Sequence, residues 1–221
     1  MYERGNAAKQ FIFTRLEGHV KDKGCRILDV ACGDGRLWSS FLDAHPAASV
    51  LGIDTNEQAI KRGKEQYTRS QLELRLLDAQ KPLKEKEFDV VVALSAVEHI
   101  VDRSGFLHTV WDALRSGGYA YLNYDVGHFR SRDIKERIMV PVSQLLALLG
   151  IEGPYMKKVD DKKIIAQAKE QGFIVEGVQK HNLYPLKGFF RGATDEALAV
   201  WIDFEEKLNG LYDAQTLDKI M

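Results

Sequence analysis

Along this chain the spacing of apolar residues switches repeatedly between two periods. Short runs rich in β-branched residues, RILDVA (26–31), SVLGI (49–53), LELRLL (72–77), FDVVVAL (88–94) and GYAYLNY (118–124), read as strands, and stretches with helical spacing lie between or after them. That alternation is the pattern of a parallel α/β sheet. The stretch DVVVAL is almost wholly apolar, as a central strand covered by helices on both faces requires, so the sheet is expected to be doubly wound.

Before the first strand, residues 7–20 place Phe11, Ile12, Leu16 and Val20 at helical spacing. Beyond the fifth strand the pattern loosens. Residues 128–158 are too long for a plain connection and are broken by Pro141, Gly150 and Pro154, so they read as an insertion with one or two helices. A helix at 160–171, a strand at 173–179 (FIVEGVQ) and a final helix at 194–211 follow. In that last helix Leu198, Trp201, Ile202, Phe204 and Leu208 are expected on one face, with Thr194 as N-cap. The whole, 1–221, reads as one domain: a helical cap (1–25), a core (26–125), a lid insertion (126–158) and a C-terminal part (159–221).

Composition narrows the partner. Lys and Arg number 31 against 32 Asp and Glu, so no net field draws the protein to nucleic acid or anionic lipid, although a local basic patch stays open. A small-molecule partner is the expectation, with no membrane and no nucleic acid. The two cysteines, Cys25 and Cys32, lack CxxC spacing, the first ten residues do not read as a leader, and no apolar run is long enough to span a bilayer. These features point to a reduced, cytoplasmic setting.

The segment ILDVACGDGRLW (27–38) carries the chemistry. It begins as a buried strand and breaks at Ala31–Gly35 into a tight turn, at the carboxyl edge of the sheet where α/β folds bind ligands. A dinucleotide fingerprint, G-x-G-x-x-G begun at Gly33, would need glycine where Trp38 stands. A bulky indole there argues against a pyrophosphate and for a nucleoside ligand without one.

Four marks in order, LDVACGDG, LGIDTN, LLDAQ and FDVVVALSAVEHI, make the sequence resemble the class I S-adenosylmethionine (SAM)-dependent methyltransferases, over about residues 26–125 and 173–179. The resemblance implies a Rossmann-like, mostly parallel seven-stranded sheet. Its antiparallel last strand is supplied either by NLYPLK or by chain beyond Met221. It also implies that Ala31, Cys32, Gly33 and Gly35 wrap the methionyl part of SAM, with Asp29 steadying the turn. Asp54 then takes the ribose hydroxyls, and Thr55 and Asn56 the adenine edge. Asp78 and Ala79 would read the adenine, and Leu94 and Ser95 would lie beneath the sulfonium. Ala31 stands where the family has its first glycine. Lys9 or Arg15 of the first helix is the expected partner of the SAM carboxylate, and spacing does not choose between them.

Methyl transfer is an in-line displacement in which positioning does much of the work, with a base needed for some acceptors. His99, beyond strand four, and Tyr124 and His128, beyond strand five, are the candidates for touching the acceptor, His128 as general base. Solvated or packing roles are the competing reading for each, as they are for His19, His45, His108 and His181. Some relatives carry E-x-x-E-H and a divalent cation at SAVEHI, but Ser95 replaces the first glutamate, so no metal is expected. The expected function is methyl transfer from SAM to an oxygen or nitrogen of a small molecule. The alternatives are a metal-assisted RNA 3′-end or quinone-pathway methyltransferase and a non-catalytic SAM-binding module.

Overall fold

The computed structural model describes residues 7–20, 24–124, 134–151, 155–181 and 193–220. In chain order they form α1 (Ala7–His19), β1 (Cys25–Val30), α2 (Trp38–Ala44), β2 (Ala48–Asp54), α3 (Glu57–Gln66), β3 (Leu72–Leu76) and β4 (Phe88–Ala93). After these come α4 (Arg103–Ala113), β5 (Leu114–Leu122), α5 (Ile134–Leu148), α6 (Asp161–Glu170), α7 (Asp195–Leu211) and α8 (Ala214–Ile220). One 3₁₀ turn, Val97–His99, lies between β4 and α4. Contacts gather the chain into two units, residues 18–174 and residues 1–17 with 175–221.

The larger unit is built on a parallel sheet in the order β3-β2-β1-β4-β5. Its central strands are the most apolar: Ile27 and Leu28 of β1 and Val90 to Ala93 of β4 are all fully buried. Phe106, Leu107 and Val110 of α4 join the same cluster as Val91 and Ala93. Each such side chain contributes about 1.5–3 kcal/mol on burial, against a few tenths of a kcal/mol that separate these residues in helix propensity. Burial therefore fixes α4 on the sheet. Strand order reverses between β1 and β4, which puts the binding crevice of an open α/β sheet at their carboxyl ends.

Three expectations change. Among the described residues the sheet has five strands rather than seven, and residues 173–179 do not form one. Phe173 instead closes α6: its N–H and that of Gly172 bond back to Ala168 O and Lys169 O, both at 3.0 Å, and its ring meets Trp111 edge-on at 5.0 Å. The alternation in FIVEGVQ thus begins with a helix cap, and Ile174 is 89% exposed. Residues 182–192, which include NLYPLK, lie outside the described residues. The last strand starts earlier than its apolar run, at Leu114, because a register shift opposite Phe88 to Val90 takes up the extra residues.

In the smaller unit the inner face of α7 differs from the expected stripe. Phe204 is exposed and Glu205 is buried. Glu205 accepts from Trp201 Nε1 at 2.9 Å and lies 3.3 Å from His181 Nδ1, so a polar cluster replaces the ring. Asn209 bonds both the N–H and the carbonyl of Lys180 at 2.7 Å, taking the backbone groups a strand would have paired. Thr194 caps α7 as expected, accepting from Ala197 N. The final residues, which carry no strand pattern, form α8.

Candidate functional site

Five loops at the carboxyl ends of the strands make up the candidate site. The first, Ala31–Gly35, reverses direction tightly, with Ala31, Gly33 and Gly35 all in the left-handed region (φ +59°, +60° and +73°). It is fastened to the next strand: Cys32 N donates to Ile53 O at 3.1 Å and Gly33 N to Asp54 Oδ2 at 2.8 Å. The other Asp54 oxygen accepts from Asn56 N at 2.8 Å. Asp54 is therefore not the cap of α3. Asn56 is, its Oδ1 accepting from Ala59 N at 3.0 Å, so that oxygen serves the helix rather than the adenine edge expected for it. Thr55 beside it is exposed.

Two glycines that the sequence reading passed over allow this packing. A Cβ on Gly52 would meet Cys32 Sγ at 2.8 Å, and one on Gly63 would meet Asp34 O at 2.3 Å. Gly63 carried a signal, since glycine inside a helix costs about 1 kcal/mol and marks a close approach. Gly33, by contrast, has nothing within 4 Å of its Cβ position. Beneath the loop, Asp29 is buried and accepts the Trp38 indole N–H at 2.6 Å. The Cys32 thiol is pushed up by burial and by the charges of Asp29, Asp54 and Asp34.

The third corner is organised by Asp78. Its Oδ1 accepts from Gln80 N at 2.9 Å, while Gln80 Oε1 accepts from Asp102 N at 2.7 Å and so links this corner to the start of α4. Ala79 is buried. At the fourth, Leu94 is buried and Ser95 is held at φ +53° by Asn123, whose Oδ1 accepts from both the N–H and the hydroxyl of Ser95 at 3.1 Å. Asn123 N in turn donates to Ala93 O at 2.8 Å. Glu98 is buried, whereas His99 is exposed with Nδ1 3.0 Å from Tyr155 O.

Arg103, which no motif announced, ties this turn to the segment before α6. Its guanidinium donates to Val97 O at 3.2 Å, Lys158 O at 3.3 Å and Lys157 O at 2.5 Å. Burial lowers its pKa, opposed by Tyr155, Glu98 and Tyr124. Tyr124, after β5, donates its hydroxyl to Asp161 Oδ1 at 2.6 Å. His128 falls outside the described residues. Lys9 and Arg15 belong to α1, where the Arg15 guanidinium lies 4.9 Å from the Phe11 ring.

The structure thus brings Asp29, Ala31–Gly35, Asp54, Asp78, Leu94 and Ser95 to one edge of one sheet. Residues 28–122 match the family described as a methyltransferase domain. Over these residues the chain carries a methyltransferase domain of the S-adenosylmethionine-dependent class. The cofactor of this class is SAM, and the site fits it: the loop is cramped on the strand side yet open above Gly33, and Asp54 keeps acceptor capacity beyond its two backbone bonds.

Similar proteins agree with the family. The human mitochondrial ubiquinone biosynthesis O-methyltransferase is 32% identical over 184 residues, covering 79% of this chain and 48% of that protein. The ubiquinone biosynthesis O-methyltransferase of Pseudomonas fluorescens is 26% identical over 196 residues, covering 81% and 78%. A TehB-like SAM-dependent methyltransferase structure from Corynebacterium glutamicum shares the fold, with a TM-score of 0.53, 20% identity and coverage of 75% and 74%. The chain spans about half the length of the human relative.

Proposed function

We propose that this methyltransferase moves the methyl group of SAM to an oxygen of a small-molecule acceptor, the whole chain working as one domain. The observation that supports it best is the Ala31–Gly35 loop pinned to Asp54 and open above Gly33. Relatives named as O-methyltransferases favour oxygen over nitrogen.

When bound, SAM supplies an electrophilic methyl on its sulfonium. The chain's part is to hold and orient. Ala31, Cys32, Gly33 and Gly35 take the methionyl portion, Asp54 the ribose hydroxyls with Thr55 beside them, and Asp78 with Ala79 the adenine. Leu94 and Ser95 form the floor at the reacting centre. The left-handed backbone of Ser95 is fixed by Asn123, which keeps that floor from shifting by the fraction of an ångström that matters for an in-line displacement. His99 is the described candidate for removing the acceptor proton. Tyr124 orients the acceptor in this reading, and its hydrogen bond to Asp161 supports that role by fixing the ring.

Calorimetry with SAM tests the cofactor half of this reading, with binding expected at about −8 kcal/mol, a micromolar Kd. Methyl-labelled SAM offered with phenols, amines and carboxylates tests the other half, label on an oxygen being expected. Binding of NAD in place of SAM, or label confined to nitrogen acceptors, would overturn the corresponding half.

A further inference from the structure

Within the larger unit, α5 presents a stripe of large apolar side chains to solvent. Ile138, Val142, Leu145 and Leu149 recur at helical spacing, with Leu148 and Ile151 beside them, and exposure reaches 61% at Leu145 and 84% at Leu148. Single exposed apolar residues are ordinary, but a contiguous stripe of this kind marks a surface that something covers. No described helix is long and apolar enough to cross a membrane.

The segment that follows α5 is cationic. Gly150, in the left-handed region, ends α5, with Ile151 N bonding back to Leu146 O at 2.9 Å. The 155–160 segment then runs beside α5, where Gln144 Nε2 donates to Met156 O at 3.4 Å. It forms one wall of an open cleft of about 310 Å³ that Arg103, Lys157, Lys158 and Lys163 line with Asp102 and Asp160. Both carboxylates are occupied as helix caps, Asp102 on Gly105 N and Asp160 on Lys163 N. None of the four cations forms an ion pair with a carboxylate among the described residues. The cleft therefore carries an uncompensated positive charge of two, although the chain as a whole is near neutral.

We infer that this face docks on an anionic lipid surface, the α5 stripe entering the acyl boundary and the Lys157, Lys158 and Lys163 cluster meeting headgroup phosphates. An apolar helix face beside unpaired lysines is the combination that interfacial binding needs, because neither signal alone holds a protein firmly. A second copy of the chain is the less suitable occupant, since pairing through α5 would bring two lysine clusters toward one interface. The inference does not depend on the transfer chemistry.

The test is co-sedimentation of the full chain with vesicles of phosphatidylglycerol and phosphatidylcholine, and with phosphatidylcholine alone, at low and high salt. Binding to the anionic vesicles is expected, weakened by salt and by omitting phosphatidylglycerol. The doubles Lys157→Ala/Lys158→Ala and Leu145→Gln/Leu148→Gln should each lower the partition coefficient roughly tenfold or more. All four side chains sit at the surface, and SAM calorimetry on each double reports separately that the cofactor site is intact. Failure of the wild type to sediment with anionic vesicles overturns the inference. So does binding that both doubles leave unchanged, or a concentration-dependent dimer in ultracentrifugation that only the leucine double abolishes.

Discussion

The indole N–H of Trp38 donates to Asp29 Oδ2 at 2.6 Å beneath the loop that separates them, and both side chains are buried. A ring that rules out the third glycine of a dinucleotide fingerprint is thus a fastener between the end of β1 and the start of α2. Trp38→Phe keeps an aromatic ring and removes the donor. It should cost about 1–3 kcal/mol, the range for taking a hydrogen-bond partner from a buried group. Urea unfolding would show this as a lower midpoint at unchanged slope; a loss within experimental error would mean the bond is idle.

Ala31 makes an opposite prediction. It sits at φ +59°, where a Cβ crowds the following carbonyl at a cost of about 1–2 kcal/mol. Ala31→Gly relieves that crowding and loses part of the gain to the greater freedom of glycine in the unfolded chain. A net stabilisation of about 0.5–1 kcal/mol is expected, read as a higher thermal midpoint. A lower midpoint would show that the methyl group packs usefully.

Asp54 joins two corners through two backbone N–H groups, one to each oxygen. Asp54→Asn leaves a single acceptor oxygen, so either Gly33 N or Asn56 N loses its partner while the size of the side chain is kept. If Asp54 also takes the ribose, SAM affinity should fall by tenfold or more, about 1.4 kcal/mol or above, with only a small loss of stability. Calorimetry and unfolding on the same sample separate the two, and an unchanged Kd would assign Asp54 to the loop alone.

The core strands and the strand-end acidic residues were legible because they depend on local pattern: apolar runs, a glycine turn, and Asp29, Asp54 and Asp78 at successive strand ends. What the sequence hid are contacts made at distance. Arg103 bonds carbonyls more than fifty residues away, and Asn123 reaches back 28 residues to Ser95. Nothing in the spacing around either residue announces its partner. Residues 173–179 misled for a related reason: alternation is also what a helix cap leaves behind when Phe173 turns onto Trp111, and only the absence of a pairing neighbour among the described residues tells the two apart.

Cys32 lies in the loop proposed to wrap the cofactor, yet it should be a poor nucleophile. Burial and the negative charges of Asp29, Asp54 and Asp34 all favour the neutral thiol. Burial, with Asp89, likewise raises Cys25 to about 11. Near neutral pH both remain thiols in the folded protein, and the thiolate is the reactive form. Iodoacetamide should therefore label the native chain more than tenfold slower than the urea-unfolded chain, beyond what the ordinary thiol pKa allows. Equal rates in the two states would contradict the burial of Cys25 and the partial burial of Cys32.

Asp89 gives the acid limb of stability a residue-level origin. Burial alone would raise its pKa, but the N–H of Arg26 at 2.7 Å and the Arg115 guanidinium at 2.6 Å outweigh burial and hold the carboxyl below its usual range. These bonds join the start of β4 to β1 on one side and to β5 on the other. Because the folded value is depressed, the stabilisation is complete above the unfolded pKa, about 3.9, and is lost as pH falls through the folded value. Asp89→Asn should cost about 1 kcal/mol at neutral pH, discounted for partial exposure. That gap between wild type and variant should narrow as denaturation is followed below about pH 4. A gap that stays constant into acid would show that the carboxylate charge contributes nothing and that shape alone matters at this position.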